Sequence, residues 1–199
     1  AIGVPVLVGA IVDGPRPDAV LNQGLVWLPD DSTEERYTKR HPVPFGEYVP
    51  FRSQLSGLKI GRLDMIPRDM IAGTRTRPLD IATRVVDLIC FDVAFDDSVT
   101  AQVRNGGQMV TVQTSNATFT GSSQLQQQFT ISRARAMETG RTVVVASTNG
   151  LIGVIGPDGA WVPPADDPAH EMTADRARYR ALIDGDTVPS GSGTPATSE

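Results

Sequence analysis

Cysteine is nearly absent. A single Cys in 199 residues excludes an internal disulfide framework and any multi-cysteine zinc site. Two His leave little from which to build a metal cluster. A basic surplus is missing as well: 18 Lys and Arg stand against 23 Asp and Glu, a formal net charge of −5. A chain with that balance and no basic stripe is not built to hold nucleic acid. Long hydrophobic runs are also lacking. The stretch Ala1–Val12 falls short of the roughly 20 residues that cross a bilayer and has no positive flank of the kind a signal peptide carries.

What is present suffices for one domain. The hydrophobic share is 40%, enough to fill a core at this length. Gly and Pro number 19 and 15, a raised load but not a collagen-like or generally disordered one. The sequence opens on Ala1 inside an apolar run, which suggests a fragment or a processed product.

Val4–Val12 is short, rich in β-branched residues and closed by Asp13-Gly14, the pattern of a buried strand. Leu21–Leu28, Val85–Cys90, Met109–Gln113, Thr142–Ala146 and Leu151–Ile155 are further strand candidates. Tyr37–Phe51 contains Pro42, Pro44, Gly46 and Pro50 and is expected to be an ordered loop, since that density of proline excludes a helix or a central strand. Gln124–Glu138 predicts the best helix, with Leu125 and Phe129, and Ala134 and Met137, at helical spacings and Gly140 as its stop. Strands alternating with a long helix predict an α/β protein. The composition divides the chain into a domain over residues 1–162 and a divergent, flexible tail over 163–199, which ends in a Pro-, Ser- and Gly-rich stretch.

Few residues could carry chemistry. Cys90 ends an apolar strand, where an α/β sheet presents reactive groups to a crevice. Taken alone it reads first as a small buried hydrophobe and second as a nucleophile. Lys39 precedes the proline-punctuated loop; beside a thiol, a lysine can stabilise a thiolate or an oxyanion, whereas on its own it is an ordinary solvated lysine. Glu47 sits inside the loop, and Asp92 lies just beyond Cys90, either a positioning group or a local turn residue. His41 reads as a loop-packing residue, and His170 falls in the tail, so a Cys–His protease arrangement is weak.

Several segments together carry a resemblance. Tyr37-Thr38-Lys39-Arg40-His41-Pro42-Val43-Pro44-Phe45-Gly46-Glu47-Tyr48-Val49-Pro50 resembles the lysine segment of the carbon–nitrogen hydrolase (nitrilase) superfamily, and more narrowly that of the apolipoprotein N-acyltransferases. Leu88-Ile89-Cys90-Phe91-Asp92 resembles the nucleophile segment, and Ser115-Asn116-Ala117-Thr118-Phe119 the loop that follows it. Arg133-Ala134-Arg135-Ala136-Met137-Glu138 resembles the family's helix motif, and Ser147-Thr148-Asn149-Gly150 and Gly156-Pro157-Asp158-Gly159 the strand and turn after it. Order and spacing agree from Val4 to Gly159.

The resemblance implies a nitrilase-like αββα sandwich, incomplete at its N-terminus. It implies Cys90 as nucleophile, Lys39 as the lysine that stabilises the tetrahedral intermediate, Glu47 as a second, supporting glutamate and Asp92 as a supporting carboxylate. The family's general-base glutamate lies upstream of the opening strand. No residue here matches it, so the chain as given is expected to be inactive or nearly so. No metal and no cofactor are implied. The implied partners are a phospholipid acyl donor and a lipoprotein acceptor, with membrane attachment through segments outside this chain and the catalytic domain on the extracytoplasmic side of a bacterial cell membrane. Leu58, Leu63, Met65, Ile66 and Met70 are candidates for admitting acyl chains, or equally for capping the sandwich core. Two other readings stay open: a soluble nitrilase-type amidase, and a non-catalytic fragment or binding module.

Overall fold

The computed structural model describes residues 3–30, 32–55, 66–119 and 122–162. Three strands open the chain as an antiparallel meander: β1 (Val6–Asp13), β2 (Ala19–Trp27) and β3 (Thr33–Thr38). The short β4 (Asp69–Met70) joins the start of β2 in parallel and completes a four-stranded sheet. The second sheet has six strands in the order β10-β9-β8-β7-β6-β5. They are β5 (Leu79–Ile81), β6 (Thr83–Ile89), β7 (Met109–Thr114), β8 (Val143–Ser147), β9 (Gly153–Ile155) and β10 (Trp161–Val162).

The centre of the second sheet, β6-β7-β8, is parallel. Parallel neighbours need crossovers, and the helices after the four-residue α1 (Arg52–Leu55) provide them: α2 (Asp96–Arg104) between β6 and β7, α3 (Gln124–Thr139) between β7 and β8. Alternation along each strand then assigns its two faces. Val86, Leu88, Val110, Val112, Val143 and Val145 pack with Val93, Val99, Phe129 and Ala136 on the helical side. Ile89 and Leu79 meet Val26 and Tyr37 of the four-stranded sheet on the other. Among the described residues the layering is therefore helix, sheet, sheet, three of the four layers of the expected nitrilase-like αββα sandwich. Among the described residues α2 and α3 are the α-helices longer than four residues.

Several expectations need correction. The strand expected at Val4–Val12 forms, but among the described residues it is a sheet edge, not a buried strand: Val8 is 38% and Ile11 65% exposed. Apolar composition marks a strand without telling an edge from a centre. The helix expected at Gln124–Glu138 is α3, closed by Gly140 in the left-handed region at φ 62°. Its inward face is Phe129, Ser132, Arg135 and Ala136, while Met137 points outward; the polar anchoring by Arg135 described below outweighs the Ala134–Met137 spacing. Sequence periodicity missed α2, because that helix buries Ser98 and Gln102 beside Val99. Leu58, Leu63 and Met65 lie outside the described residues, as do His170 and the whole of 163–199.

Candidate active site

β6 ends at Ile89, and the chain turns sharply into a 3-10 turn, Cys90–Ala94. Cys90 makes the turn with φ 54°, a conformation that costs a residue bearing a Cβ about 1–3 kcal/mol and persists only where the surroundings enforce it. Arg135 of α3 braces the far end of the turn. Its Nε donates to the Val93 carbonyl at 2.8 Å and its Nη2 to the Ala94 carbonyl at 3.0 Å. Asp96 and Glu138 hold the rest of the guanidinium at 2.6 and 2.5 Å. The thiol, partly buried, thus stands at the C-terminal end of a parallel strand on a braced turn.

Lys39 follows β3 directly and is completely buried. A buried ammonium needs a counter-charge, and Glu47 supplies it: Nζ donates to Oε1 and Oε2, both at 2.7 Å. The proline-rich loop makes this possible. Pro44 and Tyr48 form a bridge, Phe45 turns at φ 59°, and the Glu47 N–H donates to the Val43 carbonyl at 2.8 Å. The Val43 N–H in turn donates to Glu47 Oε2 at 2.7 Å. The far side of the loop is fastened to Asp69, which accepts from the Val49 N–H at 2.8 Å and from Arg52 Nε and Nη2 at 2.8 and 2.6 Å. Those Arg52 hydrogen bonds hold the Asp69 carboxyl below the usual carboxylate range.

Asp92 joins the two segments. Its carboxylate is fully buried, accepting the Tyr37 hydroxyl at 2.8 Å and the backbone N–H groups of Arg40 and His41 at 3.2 and 2.9 Å. It therefore grips the lysine segment on both sides of Lys39 from the turn that carries Cys90. Burial, and then the charge of Asp92, push the Tyr37 hydroxyl far above its ordinary value; it stays a donor. His41 is a packing residue as expected, its ring stacked on Phe95 with centroids 3.9 Å apart and Nδ1 3.0 Å from Ser98 Oγ.

Cys90 and Glu47 line one cleft of about 770 Å³. Ile11, Val20, Ile66, Met70 and Ile89 give it apolar lining, and Thr114, Ser115, Ser147 and Thr148 give it hydroxyl groups. Ile66 and Met70, two of the candidates for acyl-chain contact, are among the lining residues while remaining largely buried.

A residue match now decides the family. The carbon–nitrogen hydrolase family model matches residues 2–178. The chain belongs to the carbon–nitrogen hydrolase family. It is 37% identical over 176 residues to a Mycolicibacterium smegmatis protein named apolipoprotein N-acyltransferase, covering 83% of this chain and 29% of that protein. It is 35% identical over 158 residues to a Gloeobacter violaceus protein of the same name, covering 78% of this chain and 30% of that protein. The chain thus spans less than a third of the length of these curated relatives. Among solved structures it is similar to the Caenorhabditis elegans NitFhit protein, with a TM-score of 0.56 and 26% identity over 73% of this chain and 35% of that one.

In this member of the carbon–nitrogen hydrolase family a polar cluster lies between the two sheets that sequence reasoning did not single out. Asp87 of β6 is fully buried. It accepts from Thr111 Oγ1 at 2.9 Å and from Gln113 Nε2 at 2.9 and 3.0 Å. Opposite them Gly9 and Gly24 are cross-strand partners in β1 and β2. A Cβ on Gly24 would stand 1.9 Å from Asp87 Oδ2. The signal was an acid inside an otherwise apolar strand, together with a glycine in each of two neighbouring strands.

Burial is the main cause that pushes the Asp87 carboxyl up to about 6, helped by the charge of Asp92 and opposed by the donors on Gln113 and Thr111. The folded protein then keeps this proton to higher pH than the unfolded chain, whose Asp titrates near pH 3.9. Asp87 therefore contributes a stability that is complete at low pH, falls as pH rises from about 4 to about 6 and is constant above. Denaturant melts of wild type and Asp87→Asn across that range are expected to show the wild type losing ground by at most about 3 kcal/mol. A pH-independent difference between the two would refute this.

Proposed function

We propose that the protein is an acyltransferase that moves a fatty acyl group from a phospholipid to the free α-amine of a diacylglyceryl-cysteine lipoprotein, through a thioester on Cys90. The observation that carries the reading is the convergence on one cleft of the strained Cys90 turn and of Glu47, which holds the buried Lys39. Similarity to the named acyltransferases supports the choice of reaction.

In the first half-reaction the Cys90 thiolate attacks the ester carbonyl carbon. The Lys39 ammonium stabilises the oxyanion that forms. The C–S bond forms, the C–O bond breaks, and the lysophospholipid oxygen leaves with the proton the thiol gave up. In the second half-reaction the amine attacks the thioester. A C–N bond replaces the C–S bond, and the proton lost by nitrogen returns to sulfur. A glutamate is proposed as the base that takes the Cys90 proton, as the family resemblance implies. Asp92 is proposed to position Lys39 relative to Cys90, and Ile66 and Met70 to contact the acyl chain.

Membrane attachment is proposed through segments outside this chain, with the catalytic domain on the extracytoplasmic side of a bacterial membrane. Among the described residues no helix is long and apolar enough to cross a membrane.

Intact mass spectrometry tests the reaction. The full-length protein carrying this sequence, incubated with phospholipid vesicles, is expected to gain one fatty-acyl mass that hydroxylamine removes and that Cys90→Ala abolishes. A folded protein that takes no acyl group from phospholipid but hydrolyses small amides would replace this reading with an amidase.

A further inference from the structure

Gln113 is held in a way that the proposed chemistry above has not used. Its Nε2 faces both oxygens of Asp87 at 2.9 and 3.0 Å, and Thr111 Oγ1 donates to the same carboxylate at 2.9 Å. A glutamine amide can present either end to its surroundings. Once Asp87 is ionised, above about pH 6, reversal would set Oε1 against a buried carboxylate, acceptor against acceptor, so Asp87 then locks the amide in one orientation. The end left over is Oε1. It lies 3.0 Å from the position a Gly9 Cβ would occupy, and Gly9 lines the cleft together with Gln113 and Cys90. No donor among the described residues reaches Oε1.

The two glycines are part of the arrangement. Side chains at Gly24 and Gly9 would occupy the space in which the Asp87 carboxylate and the Gln113 amide sit. The sheet opposite has been left bare where the pair stands. Burying an acid to orient one amide costs stability. A purely apolar layer at this place would not incur that cost.

We propose that Asp87 and Gln113 form a subsite that offers the attacking amine a single fixed hydrogen-bond acceptor, Gln113 Oε1. The inference rests on the acyl-transfer reading and names the substrate group that this part of the cleft takes. An acceptor with no accompanying donor suits an N–H and repels a carboxylate or phosphate oxygen. An amine nitrogen that donates one hydrogen to Oε1 keeps its lone pair free for the thioester carbonyl. Gln113 takes up no proton in the step. Asp87 is a positioning residue that acts through Gln113.

The readout is the partition of the acyl-enzyme between aminolysis and hydrolysis, a ratio that does not depend on how much protein is folded or acylated. Cys90 in the full-length protein carrying this sequence is loaded with a short-chain acyl group from an activated ester. Its loss is then followed by mass with and without a synthetic diacylglyceryl-cysteine peptide bearing a free amine. Gln113→Met, which keeps the shape and removes the acceptor, is expected to lower the ratio about tenfold. Asp87→Asn, which frees the amide to reverse, is expected to lower it less. Exchanging the groups in Asp87→Asn with Gln113→Glu restores both the inner hydrogen bond and an outward acceptor, and the ratio is expected to return toward wild type. An unchanged ratio in Gln113→Met overturns the subsite. Should that variant fail to fold, equal ratios in the other two variants and wild type overturn it equally. Loading by an activated ester also separates the two ideas: failure of phospholipid to acylate the wild type sinks the proposed donor, while the response of the ratio to Gln113 judges the subsite alone.

Discussion

Replacing Lys39 by Met is expected to slow thioester formation on Cys90 by about 10²–10³-fold, the usual loss when one group that stabilises an oxyanion is removed. The substitution keeps the length of the stem and deletes the charge. It also leaves Glu47 without the partner that binds both its oxygens. Breaking a buried ion pair from one side costs about 3–5 kcal/mol; Glu47 retains some exposure, so the lower end applies. Adding Glu47→Gln separates structure from chemistry. The double variant removes the orphaned charge and keeps an acceptor for the Val43 N–H, so its melting temperature should recover in large part while acylation stays slow. Lys39→Met acylating at the wild-type rate would remove the lysine from the mechanism.

The second large effect is on folding. Gly24→Ala places a methyl group 1.9 Å from Asp87 Oδ2 and 2.8 Å from Gln113 Nε2. Both atoms end side chains that could in principle swing away. Here they cannot move without breaking the hydrogen bonds that keep a buried carboxylate satisfied. The expected loss is about 3 kcal/mol, combining overpacking with a weakened buried hydrogen-bond set. In a chain of this size that lowers the melting temperature by about 10 °C. Asp87→Ala opens the space the methyl group needs. The double variant should therefore be more stable than the sum of the two single losses by about 1 kcal/mol or more. Simple additivity in thermal melts would show that the two positions do not press on each other.

The sequence announced some of these groups and hid others for physical reasons. As candidates, with roles that only the resemblance supplied, Cys90, Lys39 and Glu47 were legible from a strand end and a proline-punctuated loop. α3 and its Gly140 stop were legible as well. Asp92 was legible as a supporting carboxylate, but its partners Tyr37, Arg40 and His41 come from a distant segment, 51 residues away in the case of His41, and no local pattern announces such a contact. The edge position of β1 was hidden because Val8 and Ile11 have the composition of buried residues. Asp87 and Gln113 were hidden for the opposite reason. Each interrupts an apolar strand, and the glycines that make room for them lie on the other sheet. Polar pairs between sheets become visible only when the two sheets are stacked. Leu58, Leu63 and Met65 fall outside the described residues, so of the acyl-chain candidates only Ile66 and Met70 are placed in the cleft.

The Asp92 tether has a mechanical consequence. The thiol hangs from the six-stranded sheet and the ammonium from the four-stranded one, so sliding of one sheet over the other would ordinarily change their separation directly. A carboxylate rooted two residues beyond Cys90 and clamped to backbone N–H groups just after Lys39 ties the two supports together at the point where they matter. Shear between the layers has to pull against this clamp before it can part thiol from ammonium.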